Sequence, residues 1–128
     1  MKRDMDLIRK ILFYVEENYK PMDQFVNVSI PEYDHATLQE HCVLAFQAGL
    51  VNKVCVKCGS CIVYNLTNAG YDYLDKIRND TIWNKTKDTI KKKGLPLVID
   101  TIKTVANAFV TATAEGVANA IIKNGGQV

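Results

Sequence analysis

Two short segments constrain the fold of this 128-residue chain most: Ala48-Gly-Leu50 and Leu66-Thr-Asn-Ala-Gly70. The first closes a helical pattern. Gly49 suits a left-handed C-cap, and Leu50 folds back as the apolar contact that accompanies such caps. The second opens another helix, with Thr67 placed to cap it. Between them lie two strand-like runs, residues 50–56 and 61–66, joined by a turn over 57–60 that contains Gly59. The pair reads as a hairpin held between two helices.

The rest of the chain fits around that unit. Met5, Ile8, Ile11, Leu12 and Val15 recur at three- and four-residue spacing, which predicts an amphipathic helix over 4–18 with Asp4 as a cap. Lys20-Pro21 stops it. Residues 24–30 alternate, placing Val26, Val28 and Ile30 on one face of a short strand ended by Pro31. A second helix starts after Tyr33 or Asp34, with Ala36, Leu38, Cys42, Leu44 or Ala45, and Phe46 as its apolar positions. Leu66, Ala69, Tyr73, Leu74 and Ile77 give the buried face of a third helix over 68–79. A fourth runs over 81–93 to Gly94, anchored by Trp83. Leu95-Pro96 opens a fifth, with Pro96 in the first turn, whose apolar series continues toward Ile122.

Helix, strand, helix, hairpin, helix and two further helices make an α+β chain. The pattern is that of a winged helix-turn-helix-like domain with a helical C-terminal extension. The expected organisation is a domain over 1–80, an extension over 81–124, and a flexible tail over 125–128 led by Gly125-Gly126.

The segments Met1-Lys-Arg-Asp-Met-Asp-Leu-Ile-Arg-Lys-Ile-Leu12, Ala48-Gly-Leu50, Leu66-Thr-Asn-Ala-Gly70 and Leu74-Asp-Lys-Ile-Arg-Asn-Asp-Thr-Ile-Trp-Asn-Lys85 stand in this order. In them the chain resembles an uncharacterised family of short proteins from phages, prophages and mobile elements, known as a domain of unknown function. The resemblance implies a winged-helix-like fold and a viral or prophage setting. It implies no activity. The cysteines of the hairpin depart from the family pattern.

Hydrophobic residues make up 48% of the chain, enough for a core, and the formal net charge is +2. Residues 1–20 mix charges with apolar residues, unlike a secretory signal, and no run is long enough to span a membrane. A cytoplasmic, reducing location is expected, so the four cysteines are expected as thiols or metal ligands. The chain shows no nucleophile elbow, phosphate loop or paired carboxylates. It reads as a binding protein without a small-molecule substrate rather than as an enzyme.

In winged-helix DNA binders the helix before the wing reads bases. Here His35, Thr37, Gln39, His41 and Gln47 are the candidates, with Lys53 and Lys57 on the wing and Lys2 and Arg3 at the N-terminus as phosphate contacts. Against this, residues 21–52 hold no Lys or Arg, and carry Asp23, Glu32, Asp34 and Glu40. Further lysines, Lys85, Lys87, Lys91, Lys92 and Lys93, fall on or just after the fourth helix, whose C-terminus also favours them.

Cys55-Val-Lys-Cys58-Gly-Ser-Cys61 has the shape of a zinc knuckle. Cys42, His41 or His35 would supply the fourth ligand. The alternative is a set of small hairpin residues with Cys42 as a core thiol and no cofactor. From 98 to 122 the charged residues are Asp100, Lys103 and Glu115. So apolar a helix predicts pairing with a second copy through Ile102, Val105, Phe109, Val110 and Val117, with packing back onto its own domain or lying on a membrane surface as the rival readings. Two functions are consistent with these residues. One is a homodimeric DNA-binding regulator. The other is a protein-interaction module, such as an inhibitor or adaptor of a host or defence protein.

Overall fold

Helix α1 (Met5–Asn18) starts after Asp4, whose backbone is extended and whose carboxylate accepts from the N–H groups of Asp6 and Leu7 at 2.9 and 3.1 Å. The computed structural model describes residues 1–56 and 59–111 of the chain. The expected stripe of α1 is buried throughout, with Leu7 added to it. Strand β1 (Val26–Asn27) comes next, and Val26, Val28 and Ile30 face inward while Asn27 and Ser29 face out. Helix α2 (His35–Gln47) is capped by Asp34, which accepts from the Thr37 N–H at 2.7 Å.

At the end of α2, Gly49 takes a φ of 77°. The Leu50 N–H bonds back to the Ala45 carbonyl at 3.0 Å and the Gly49 N–H to Phe46 at 2.9 Å. This is the double closure expected of a glycine-terminated helix. Leu50 is fully buried beneath it. Phe46, expected inside, is exposed, as is Ala36. The buried residues of α2 are Leu38, His41, Cys42 and Ala45. A polar residue, His41, holds a place in the core of this helix where the apolar pattern put none.

Strands β2 (Val54–Cys55) and β3 (Ile62–Val63) form the hairpin, and β3 is central in an antiparallel sheet of order β1-β3-β2. Val63 faces both Val26 and Val54. Pairing continues to a bridge between Val51 and Leu66. Helix α3 (Asn68–Ile77) is opened by Thr67, whose hydroxyl accepts from the Gly70 N–H at 2.9 Å and donates to the Gly49 carbonyl at 2.5 Å. Gly70 is there for a reason of space. A Cβ at this position would run into the Leu50 carbonyl oxygen. Ala69, expected on the buried face, is exposed; Gly70 is the residue pressed inward.

The chain divides into two compact units, Met1–Asp75 and one beginning at Lys76. In the second, Asn79 caps α4 (Asp80–Lys92), in which Trp83, Thr86 and Ile90 are buried. Lys87 Nζ lies 5.3 Å from the centre of the Trp83 ring. Gly94, at a φ of 65°, ends the helix. The fifth helix, α5, covers 99–111, three residues later than Pro96 suggested. Ile102 and Ala106 are buried in it. The continuation toward Ile122 and the tail over 125–128 lie outside the described residues. Among the described residues no helix is long and apolar enough to cross a membrane.

Candidate functional site

The polar residues of α2 cluster where the helix meets α1 on one side and the hairpin on the other. His41 has no exposed surface. Its Nε2 accepts from the Asp4 backbone N–H at 2.8 Å, and its Nδ1 lies 2.8 Å from the Thr37 carbonyl. An N–H can only donate and a carbonyl can only accept, so the ring is the tautomer with its proton on Nδ1. His41 therefore joins α2 to the residue that caps α1. It is not at the surface as a base reader, nor is a ring nitrogen left to bind a metal.

Earlier in the same helix, His35 and Gln39 face the hairpin. The His35 Nε2 meets the Gly59 carbonyl. The Gln39 amide donates toward the carbonyls of Val56 and Ser60, both at 3.3 Å. Their four-residue spacing puts both on one face of the helix, and that face holds the hairpin turn. Thr37 is also engaged, its hydroxyl bonding Asp34 at 3.0 Å. Those bonds to Thr37 keep the Asp34 carboxyl below its usual range. Gln47 is exposed at the far end of α2.

The thiols of Cys42 and Cys61 are buried hydrogen-bonded neighbours. Burial, then the proximity of Cys61, pushes the Cys42 thiol up to about 12, and burial raises Cys61 as well. Cys55 is half-buried on β2. Cys58 and Lys57 lie outside the described residues. Among the described residues no group of three or more His, Cys, Asp or Glu is placed to hold a metal ion.

The other candidates scatter. Lys2 and Arg3 are exposed at the N-terminus. Lys53 is exposed, with its Nζ 5.6 Å from the Tyr64 ring. Of the residues expected at a dimer interface, Ile102 is buried within the chain and so is not offered to a second copy. Val105, Phe109 and Val110 are half-buried, and Val117 lies outside the described residues.

An open cleft of 380 Å³ lies beside this cluster. It is lined by Asn27, Ser29, Pro31, Tyr33, His35, Leu38, Gly59 and Ser60. Glu32, next to the lining residues Pro31 and Tyr33 in the chain, bonds Lys10 at 3.2 Å. That contact, helped by Tyr33, holds the Lys10 ammonium above its usual range. Sequence reasoning missed this cleft, and it missed the ties of His35 and Gln39 to the hairpin. Their shared helix face was the available signal.

Residues 2–96 match the family described as hypothetical protein (DUF2513). The chain belongs to the DUF2513 family. The match takes in α1 through α4 and ends before α5. A relative from Haemophilus influenzae, described as an uncharacterized protein, is 39% identical over 114 residues, spanning 87% of this chain and 97% of its own. No solved structure matches the chain.

Proposed function

We propose that residues 1–75 of this DUF2513 protein are a winged-helix-like scaffold, with β2 and β3 as the wing, that binds another protein rather than reading DNA bases. The observation that carries this reading is the occupation of α2. His41 is enclosed with both ring nitrogens bonded, and the Gln39 amide is spent on the hairpin carbonyls. Freeing either to reach a base would leave backbone groups unpaired. Charge supports it too. Residues 1–75 hold seven Lys and Arg against ten Asp and Glu, a formal net charge of −3. An acidic surface repels phosphate and suits a basic protein.

The DNA-binding reading, a homodimeric phage or prophage regulator, keeps one observation in its favour. Residues 76–128 hold nine basic against four acidic residues, a formal net charge of +5. Lys85, Lys91, Lys92 and Lys93 are exposed. They would touch phosphates without reading sequence.

Binding of the purified chain to random-sequence duplex DNA at about 50 and 200 mM salt separates the two. Binding that weakens steeply with salt overturns the protein-binding reading. A photo-crosslinking amino acid at the exposed position 40 then tests it from the other side. It is expected to capture a discrete protein adduct in cells of the host. An absence of any adduct also counts against the reading.

A further inference from the structure

The outer edge of β1 offers a more definite surface for the protein partner proposed for this domain, and its assignment rests on that protein-binding reading. The Val28 N–H bonds to the Cys61 carbonyl at 2.8 Å, in register with the pairing of Val26 and Val63. Residues 26 and 28 therefore turn their main-chain groups toward β3. By the alternation of a strand, Phe25, Asn27 and Ser29 turn theirs away from it. β1 is the outermost strand on its side, with no strand beside it among the described residues. Phe25 is 48% and Met22 93% exposed, so apolar side chains lead into this edge. Asn27 and Ser29, which face outward from the strand, also line the 380 Å³ cleft. Edge and cleft are thus one continuous surface.

Open strand edges are where extended peptides add, with main-chain bonds giving affinity and a neighbouring pocket giving selectivity. The charge of the stretch of chain that carries this edge gives the sign of the partner. From residue 21 to 52 there are Asp23, Glu32, Asp34 and Glu40 and no Lys or Arg. Lys10 offsets Glu32 through their ion pair. Asp34 stays ionised, because Thr37 holds its carboxylate. The cleft is also within the usual size range for pockets that accept a ligand group.

The geometry points to a docking site for a basic, extended segment of a partner protein. The segment adds to the outer edge of β1 along residues 25–29, and one of its Arg or Lys side chains enters the cleft beside Tyr33, His35 and Ser60.

The test uses the full chain labelled with ¹⁵N and two probes, acetyl-Arg-Val-Arg-Val-Arg-amide and its Glu counterpart. The basic probe is expected to shift the amides of Phe25, Asn27, Ser29 and Ser60, and to bind at least about tenfold more tightly than the acidic one. Asn27→Pro removes an outward N–H without touching the pairing with β3, and edge strands tolerate proline. It is expected to weaken the basic probe by about tenfold or more with the thermal unfolding curve kept. Should that variant not fold, Ser29→Lys keeps the test alive: an exposed cation here is expected to repel the same probe. Equal shifts with both probes, shifts confined to α4, or full binding by a folded variant would overturn the assignment. If the probe ignores β1 while position 40 still captures a protein in cells, this site fails and the broader reading stands. Salt-sensitive DNA binding sinks both.

Discussion

Helices α1 and α2 pack against each other, yet they are fixed by different means. α1 is held by an unbroken apolar stripe from Met5 to Val15, and its polar residues point outward or cap its start. α2 has a thinner apolar face, and named polar contacts hold it on both sides. His41 reaches α1, while His35 and Gln39 reach the hairpin. Apolar burial is non-directional and tolerates shape-preserving exchange. Polar ties demand one donor and one acceptor in one geometry, and losing a partner strands the other. The lesson is that a polar residue on a helix of a small domain is not by default on offer to a ligand.

Substitutions sharpen the contrast, and the largest effect is expected where α2 hands over to α3. Gly70→Ala places a Cβ against the Leu50 carbonyl, and should lower stability by roughly 4 kcal/mol or more, read by urea unfolding. An ordinary value near that of a surface change would show that the crossing relaxes. Next comes the stripe of α1. Ile11→Ala is expected to cost about 3 kcal/mol, whereas Ile11→Leu should cost less than about 1.5 kcal/mol. For α2 no such shape-preserving rescue should exist. His41→Leu strips the Asp4 N–H of its partner, a loss of about 2 kcal/mol. If His41→Leu proved neutral in the same unfolding experiment, the distinction between the helices would collapse.

Smaller effects probe the same idea from its other side. The Tyr73 hydroxyl is buried without a hydrogen-bond partner among the described residues, and burial raises its pKa. Tyr73→Phe is therefore expected to leave stability unchanged or to raise it by about 1 kcal/mol. The smallest effect is the cap of α2. Asp34 titrates below its ordinary value of 3.8 because Thr37 bonds the charged form. A depressed carboxyl contributes stability that is fully present above its unfolded pKa and is lost as the pH falls through the lower folded one. Unfolding curves taken from neutral pH to below 3.8 should converge for wild type and Asp34→Ala only at the acid end. A difference that persists there would assign the effect to something other than this carboxylate.

Much of the fold was legible because it rests on local rules. The stripe of α1, the alternation of Val26, Val28 and Ile30, the Gly49 cap and the Thr67 cap each declare themselves within a few residues. The candidate site was less legible. His41 meets a residue 37 positions away, and no periodicity encodes that. The pattern placed Phe46 inside because it is apolar, but the buried face of α2 turns toward Cys42 and Ala45 instead. Pro96 was read as the first turn of α5, yet that helix begins at residue 99. Proline tolerates a first turn without requiring one.

The closed bonding of His41 also makes it a clock. Its Nδ1 proton is shielded from water on every side and held by a carbonyl, so it leaves only when the seam between α1 and α2 comes apart. A single imidazole resonance, followed by proton exchange, would therefore time the opening of that seam. Surface amides, which exchange through local fraying, cannot report it.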